Sequence, residues 1–297
     1  MKVVLGADGS EHAEFAADFL ARYPMSPDSV VDCCGVYSAS HVVTATSHPF
    51  LGPLLADQLS QAVDDAREGA EAAARRVATR LRSLGRSSEA HLLEGDPGDE
   101  LSSYAEKTKA AFVVVGSRGL GRLDALLLGS VAREIANNRR VDLLVTRRRD
   151  FSGEGLRAVF ATDHSDFAER VAAKLPFLME GKLAELEVLS VVDPDSKDVA
   201  FARGAATWDD LQSGLSSWAT ERNEATVKMV ADLADRCVAT VKLGHARETI
   251  LERAKERGAD LIILGAQGQS ALSRLLLGSV SNYVLTRAGT SVLIVRA

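Results

Sequence analysis

Apolar residues fall into short runs separated by longer stretches of helical spacing. Val3–Ala7 is the first run, and Glu11–Arg22 behind it carries apolar positions three and four apart. Val30–Tyr37 is apolar again. Leu54–Leu84 reads as a long Ala-, Arg- and Glu-rich helix, Glu89–Leu93 as a strand, Gly98–Lys109 as a helix and Ala111–Val115 as a strand. A helix starts near Ser130, and Asp142–Thr146 closes the series as a strand. The order then repeats. Ala158–Thr162, Glu185–Val192, Val238–Leu243, Leu261–Leu264 and Ser291–Val295 are strands, with helices at Trp208–Asp235 and Arg247–Arg257. Continuous apolar strands alternating with helices predict parallel sheets covered on both faces.

The repetition extends to residue identity. Shifting the chain by 149 residues aligns 116–147 with 265–296, and 11 of the 32 positions are identical. They include Gly116, Gly119, Gly129 and Ser130, matched by Gly265, Gly268, Gly278 and Ser279. The openings 2–20 and 157–175 match at a shift of 155, so the second copy is six residues shorter in its middle. Two domains follow, 1–148 and 155–297, joined by the short charged segment around Arg147–Gly155.

Ligands of open parallel sheets bind beyond the carboxyl ends of the strands. The repeated residues fall there. Asp8 and Asp163 follow the first strand of each half, Gly116 and Gly265 the fourth. Gly129-Ser130 and Gly278-Ser279 precede a helix. Glycine lets backbone N–H groups approach an anion, and a helix start offers unpaired donors and partial positive charge. Ser130 and Ser279 suit the N-cap position, and Ser10 and Ser165 read as caps rather than nucleophiles. Two glycine turns facing one helix start form a phosphate cradle. This is not a Walker A loop, because Arg122-Leu123 stands where Lys-Ser/Thr is required, and no Gly-x-Gly-x-x-Gly signature is present.

Composition narrows the setting. The chain has 297 residues, 46% hydrophobic, and a net charge of −6, which disfavours a general nucleic-acid surface. Three cysteines, with Cys33 and Cys34 adjacent in an apolar strand, make no disulfide framework and point to a reducing, cytoplasmic setting. No stretch is long and apolar enough for a membrane helix or a signal peptide. The six histidines have no metal-like spacing with the cysteines and read as single exposed or capping side chains. Ser38–Pro53 reads as a loop at the mouth of the second strand.

Gly-x-x-Gly-x9-Gly-Ser after an apolar fourth strand, together with the opening Val4-Leu-Gly-Ala-Asp-Gly-Ser-Glu-His12, resembles the ATP-binding signature of universal stress proteins. The resemblance spans nearly the whole chain as two tandem domains. It implies five-stranded parallel α/β sandwiches of the adenine-nucleotide α-hydrolase type, strand order 3-2-1-4-5, and an internal pseudo-dimer paired through the last strands. Asp8 and Asp163 would lie near adenine and ribose, and the backbone of Val36 and Val191 at the adenine edge. Gly116, Gly119, Gly129 and Ser130 would hold ribose and phosphates, as would Gly265, Gly268, Gly278 and Ser279. No direct metal ligand is implied; Mg²⁺ or Mn²⁺ would bridge phosphates.

Departures weaken the second copy. Asp163-His164-Ser165 stands where Asp8-Gly9-Ser10 does, Gln267 where Arg118 does, and Gly244-His245-Ala246 where Gly95-Asp96-Pro97 does. The implied function is an ATP-binding stress-response regulator acting on a protein partner, with one or both sites filled. A slow ATPase and a structural module with degenerate sites are the alternatives, and no general base is apparent for hydrolysis. AMP, a cyclic nucleotide or another adenylate stays open as ligand, as does a homodimer.

Overall fold

A computed structural model describes residues 1–39, 52–117, 119, 128–137, 141–151, 153–193, 208–268 and 277–297. The chain divides into two compact units, Met1–Ala21 with Ser26–Arg147, and Arg148–Ala297 with Arg22–Met25. The first contains β1 (Lys2–Gly6), α1 (Glu11–Arg22), β2 (Val30–Tyr37), α2 (Gly52–Ser83), β3 (Ser87–Glu94), α3 (Pro97–Thr108), β4 (Val113–Gly116), α4 (Ser130–Asn137) and β5 (Leu143–Thr146). The second contains β6 (Arg157–Ala161), α5 (Asp166–Leu178), β7 (Leu183–Val192), α6 (Trp208–Val230), β8 (Ala234–Leu243), α7 (Ala246–Glu256), β9 (Leu261–Gly265), α8 (Ser279–Arg287) and β10 (Ser291–Val295).

Both sheets are parallel. The strand order is β3-β2-β1-β4-β5 in the first unit and β8-β7-β6-β9-β10 in the second, the 3-2-1-4-5 order expected. The chain leaves β1 in one direction and reaches β4 in the other, so a crevice opens at the carboxyl ends of these two strands. Central strands are sealed on both faces: Val3, Val4 and Leu5 of β1 are wholly buried, as are Val159 and Phe160 of β6. Helices bury one stripe each. That of α1 comprises Ala13, Ala16, Ala17, Phe19 and Leu20, with the two large side chains contributing about 2 kcal/mol apiece.

Caps fix the turns that carry the site. Asp96 accepts from the N–H groups of Gly98 and Asp99, and Pro97 opens α3. Ser165 caps α5 through the Ala168 N–H. Gly95 and Gly244 both adopt φ near +145°, at 145° and 142°, so the turn into α3 and into α7 is the same despite its different sequence.

Two sequence expectations are corrected. The helix expected to run to Asp235 ends at Val230, and a 3-10 turn at Ala231–Leu233 leads into β8 from Ala234. Leu233 and Ala234 are buried, and Ala234 already pairs with Leu183, so sheet pairing outweighs the local helical preference. Ser130 and Ser279 are not N-caps. They are the first helical residues, and Gly278 occupies the cap of α8. Of Ser38–Pro53, residues 40–51 lie outside the described residues, as does Arg118, while Gly52 and Pro53 already belong to α2.

Candidate functional site

The crevice at the β1–β4 switch holds a cavity of about 150 Å³. Asp8, Val36, Gly116, Gly119, Gly129 and Ser130 all line it. They come from four separate segments of chain, and the fold brings together every expected first-domain residue. The remaining wall is largely apolar, from residues such as Ala7, Cys34, Leu101 and Val115. Cys34 is wholly buried, and burial, then Asp32, pushes its thiol far above the ordinary range. Cys33, also buried, is pushed up to about 12 by the same causes. Neither is a nucleophile at neutral pH.

Asp8 is held by its neighbour. Its Oδ1 accepts from the Ser10 N–H at 3.0 Å and the Ser10 hydroxyl at 2.6 Å. Ser10 in turn accepts from the Ala13 N–H at 3.2 Å, capping α1. This leaves Asp8 Oδ2 directed at Gly119, where a Cβ would sit only 2.6 Å away. The second domain repeats the device. Asp163 Oδ1 accepts from the Ser165 N–H at 3.1 Å and hydroxyl at 2.7 Å, and Oδ2 lies 2.6 Å from the place of a Gly268 Cβ.

The helix starts are docked alike. The Gly129 N–H donates to the Ser117 carbonyl at 2.9 Å, and the Gly278 N–H to the Ala266 carbonyl at 2.7 Å. The serine and the two residues after it therefore open a helix whose first-turn N–H groups have no partner within the helix. A Cβ on Gly265 would press to 3.0 Å against the Phe167 ring and 3.1 Å against the Gln267 carbonyl. Asp163, Gly265, Gly268, Gly278 and Ser279 thus share one loop cluster. Val191 lies on β7 opposite Lys242, one residue beyond Ser190.

The two domains differ around the turn that follows the first strand. The residue between aspartate and serine is left-handed in both, Gly9 at φ 81° and His164 at φ 56°. Glycine adopts this freely, whereas histidine is strained by about 1 kcal/mol or more. His164 is held there by Ser190, whose Oγ lies 2.7 Å from Nε2. Ser190 donates its single proton to Asn223 at 2.7 Å, and Asn223 donates to the Thr240 carbonyl, so the histidine must donate from Nε2. The Trp218 ring meets His164 edge-on at 5.4 Å. Burial, above all, lowers the His164 pKa, so the ring is neutral near pH 7. In the first domain Gly35 takes the Ser190 position, and α2 crosses it so closely that a Cβ would lie 2.0 Å from the Ala70 carbonyl oxygen.

Sequence reading missed Arg76. Its guanidinium donates to the Gly9 carbonyl at 3.0 Å and pairs with Glu14 at 3.2 Å, placing a cation on the β1–α1 turn. Only packing of α2 across the β1–α1 turn reveals it.

These features define a tandem α/β protein with a glycine-lined crevice at the switch point of each sheet. The model of the universal stress protein family matches residues 1–147 and 156–296, and the chain belongs to that family. A universal stress protein of Mycolicibacterium smegmatis is 26% identical over 303 residues, covering 99% of this chain and 96% of its own. Universal stress protein Sll1388 of Synechocystis is 30% identical over 149 residues, 47% of this chain and 97% of its own. The crystal structure of a universal stress protein from Archaeoglobus fulgidus covers 99% of this chain and 98% of its own, at 21% identity and a TM-score of 0.61, and shares the fold. No helix among the described residues is long and apolar enough to cross a membrane.

Proposed function

We propose that the protein binds an adenine nucleotide, ATP with Mg²⁺ or Mn²⁺ foremost, and acts as a stress-response regulator through the surface its occupied sites present to a protein partner. The observation that carries this reading is the convergence of Asp8, Val36, Gly116, Gly119, Gly129 and Ser130 on one cavity. Apolar walls accept a base. The α4 start and the glycine turns offer N–H donors to phosphates. Among the described lining residues Asp8 is the only carboxylate, and Ser10 occupies one of its oxygens. A divalent ion would therefore be carried by the phosphates and water rather than by protein ligands.

The test is direct. Full-length protein is denatured and assayed for released nucleotide, then refilled with ATP, AMP or cyclic AMP in the presence of Mg²⁺. Gly129→Val and Gly278→Val each push a branched side chain toward a helix start, and each is expected to remove one site. Phosphate release is followed in parallel, and turnover abolished by both changes would make the protein an ATPase. A folded sample that binds no adenylate at millimolar concentration overturns the reading.

A further inference from the structure

Away from the crevice, on the face of the first sheet beneath α3, a second group of donor side chains converges. Asp32 on β2 pairs in register with Glu89 on β3, and Cys34 with His91. Asp32, Glu89 and His91 therefore point to one face of the sheet. Each offers one ligand atom within 4.8 Å of the others. The His91 Nε2 lies 3.4 Å from Asp32 Oδ1 and 3.5 Å from Glu89 Oε2. A tetrahedral ion bound at about 2.05 Å by nitrogen and oxygen requires donor separations of about 3.35 Å.

Asp32 brings into this group a carboxylate oxygen that has no hydrogen-bond partner. The side chain is wholly buried. Its Oδ2 receives two donors, the Lys2 ammonium at 3.1 Å and the Tyr104 hydroxyl at 3.2 Å. Its Oδ1 has no hydrogen-bond partner, nor has the buried His91 Nε2 that faces it. The Tyr104 hydroxyl, by donating to Oδ2, orients the carboxylate as an outer-shell donor does. The Tyr104 ring also lies 5.3 Å from that of His91.

The second domain is a built-in contrast. Glu187 occupies the position of Asp32, each being the partner of the equivalent residue, Val159 or Val4. Its Oε1 accepts from Arg253 at 2.8 Å, and its Oε2, like Asp32 Oδ1 without a hydrogen-bond partner, lies 3.2 Å from the Arg257 cation. Arg253 stands where Tyr104 does at the shift of 149, and Val238 and Thr240 stand where Glu89 and His91 do. Among the described residues, the second domain sets Arg253 and Arg257 on Glu187, whereas the first sets Lys2 on Asp32 and adds Glu89 and His91.

We propose that Asp32, Glu89 and His91 form a site for a borderline divalent transition-metal ion, with zinc as the probe. The three side chains provide two oxygens and one nitrogen. Glu89 and the edge of His91 reach solvent, so a water completes the four-coordinate shell. The ion supplies the positive charge that Arg253 and Arg257 give to the other domain.

The test uses the full chain, stripped of metal with a chelator and free of nucleotide. Zinc is added and binding is followed by calorimetry and by the unfolding midpoint, and Co²⁺ by its visible absorption. The expected result is a single equivalent per chain that raises the midpoint. Glu89→Gln, a change at an exposed side chain, should weaken binding at least about tenfold, and His91→Ala should abolish the Co²⁺ spectrum. Gly129→Val should leave zinc binding intact, which separates this ion from one carried by nucleotide phosphates. No zinc-dependent change in the wild type, or binding that survives both Glu89→Gln and His91→Ala, overturns the proposal.

Discussion

Gly119→Ala and Gly268→Ala test the core of the site with one methyl group each. A Cβ at either position would stand 2.6 Å from an aspartate Oδ2. Carbon–oxygen contacts close in to only about 3.3 Å, so either the carboxylate or the glycine turn must move by roughly 0.7 Å. The carboxylate resists, because Asp8 Oδ1 is held at 3.0 and 2.6 Å by Ser10, and Asp163 Oδ1 at 3.1 and 2.7 Å by Ser165. Disturbing hydrogen bonds to a charged group costs about 1.5–3 kcal/mol, and moving the turn withdraws its N–H donors from the cavity. Either route weakens nucleotide binding about ten- to hundredfold, at 1.4 kcal/mol per factor of ten. Calorimetric titration of Mg-ATP into the wild type, both single variants and the double variant measures this. Gly153→Ala serves as control, because a Cβ there meets nothing within 4 Å. Each single change should weaken one phase of the titration by that factor and lower the unfolding midpoint modestly, since the strained hydrogen bonds belong to the native state. Wild-type affinity in the double variant would refute the claim that aspartate and glycine turn are coupled parts of a nucleotide site.

Glu134 lies against Asp96 and Asp99, and burial, then Asp96, raises its pKa to about 7. An acid with a raised folded-state pKa loses native stability as pH rises from its unfolded value of about 4.5 through 7. Glu134→Gln should therefore raise the melting midpoint more at pH 8 than at pH 5, and a larger gain at pH 5 would reverse the sign argued here. Arg253→Ala strips Glu187, 1% exposed, of its 2.8 Å partner; urea unfolding should show a loss of about 3 kcal/mol, and a loss under 1 kcal/mol would mean that Arg257 suffices alone. Gly35→Ala should destabilise by about 3 kcal/mol, since its Cβ would lie 2.0 Å from the Ala70 carbonyl oxygen. Gly69→Ala, in open space on the same helix, should stabilise by about 0.5–1 kcal/mol, and similar effects from both in denaturation would contradict the close packing described.

The fold was readable because buried parallel strands are continuous apolar runs, and β1, β2, β4 and their counterparts differ from the helices in period. The glycines of the two crevices were readable because they recur at one spacing. What escaped reading depends on packing between distant segments. Asp32 sits inside an apolar strand, and nothing local shows that Lys2, Glu89, His91 and Tyr104 gather on it. His91 is unremarkable until β3 pairs with β2. Arg76 reaches Gly9 only because α2 crosses the β1–α1 turn. The end of α6 was overrun because Ala231–Asp235 favours helix by composition, while the edge of β7 offered a sheet partner that no local window contains.

His164 carries a wider consequence. When one-domain chains assemble with copies of themselves, both sites have the same side chain at every position, and a strained histidine would burden each. Covalent fusion lifts that symmetry, letting one crevice keep the unstrained glycine while the other spends backbone strain on a wall of His164, Ser190, Asn223 and Trp218. On the proposed function, two ligand affinities would coexist in a single molecule, and occupancy would respond over a broader span of ligand concentration than matched sites permit.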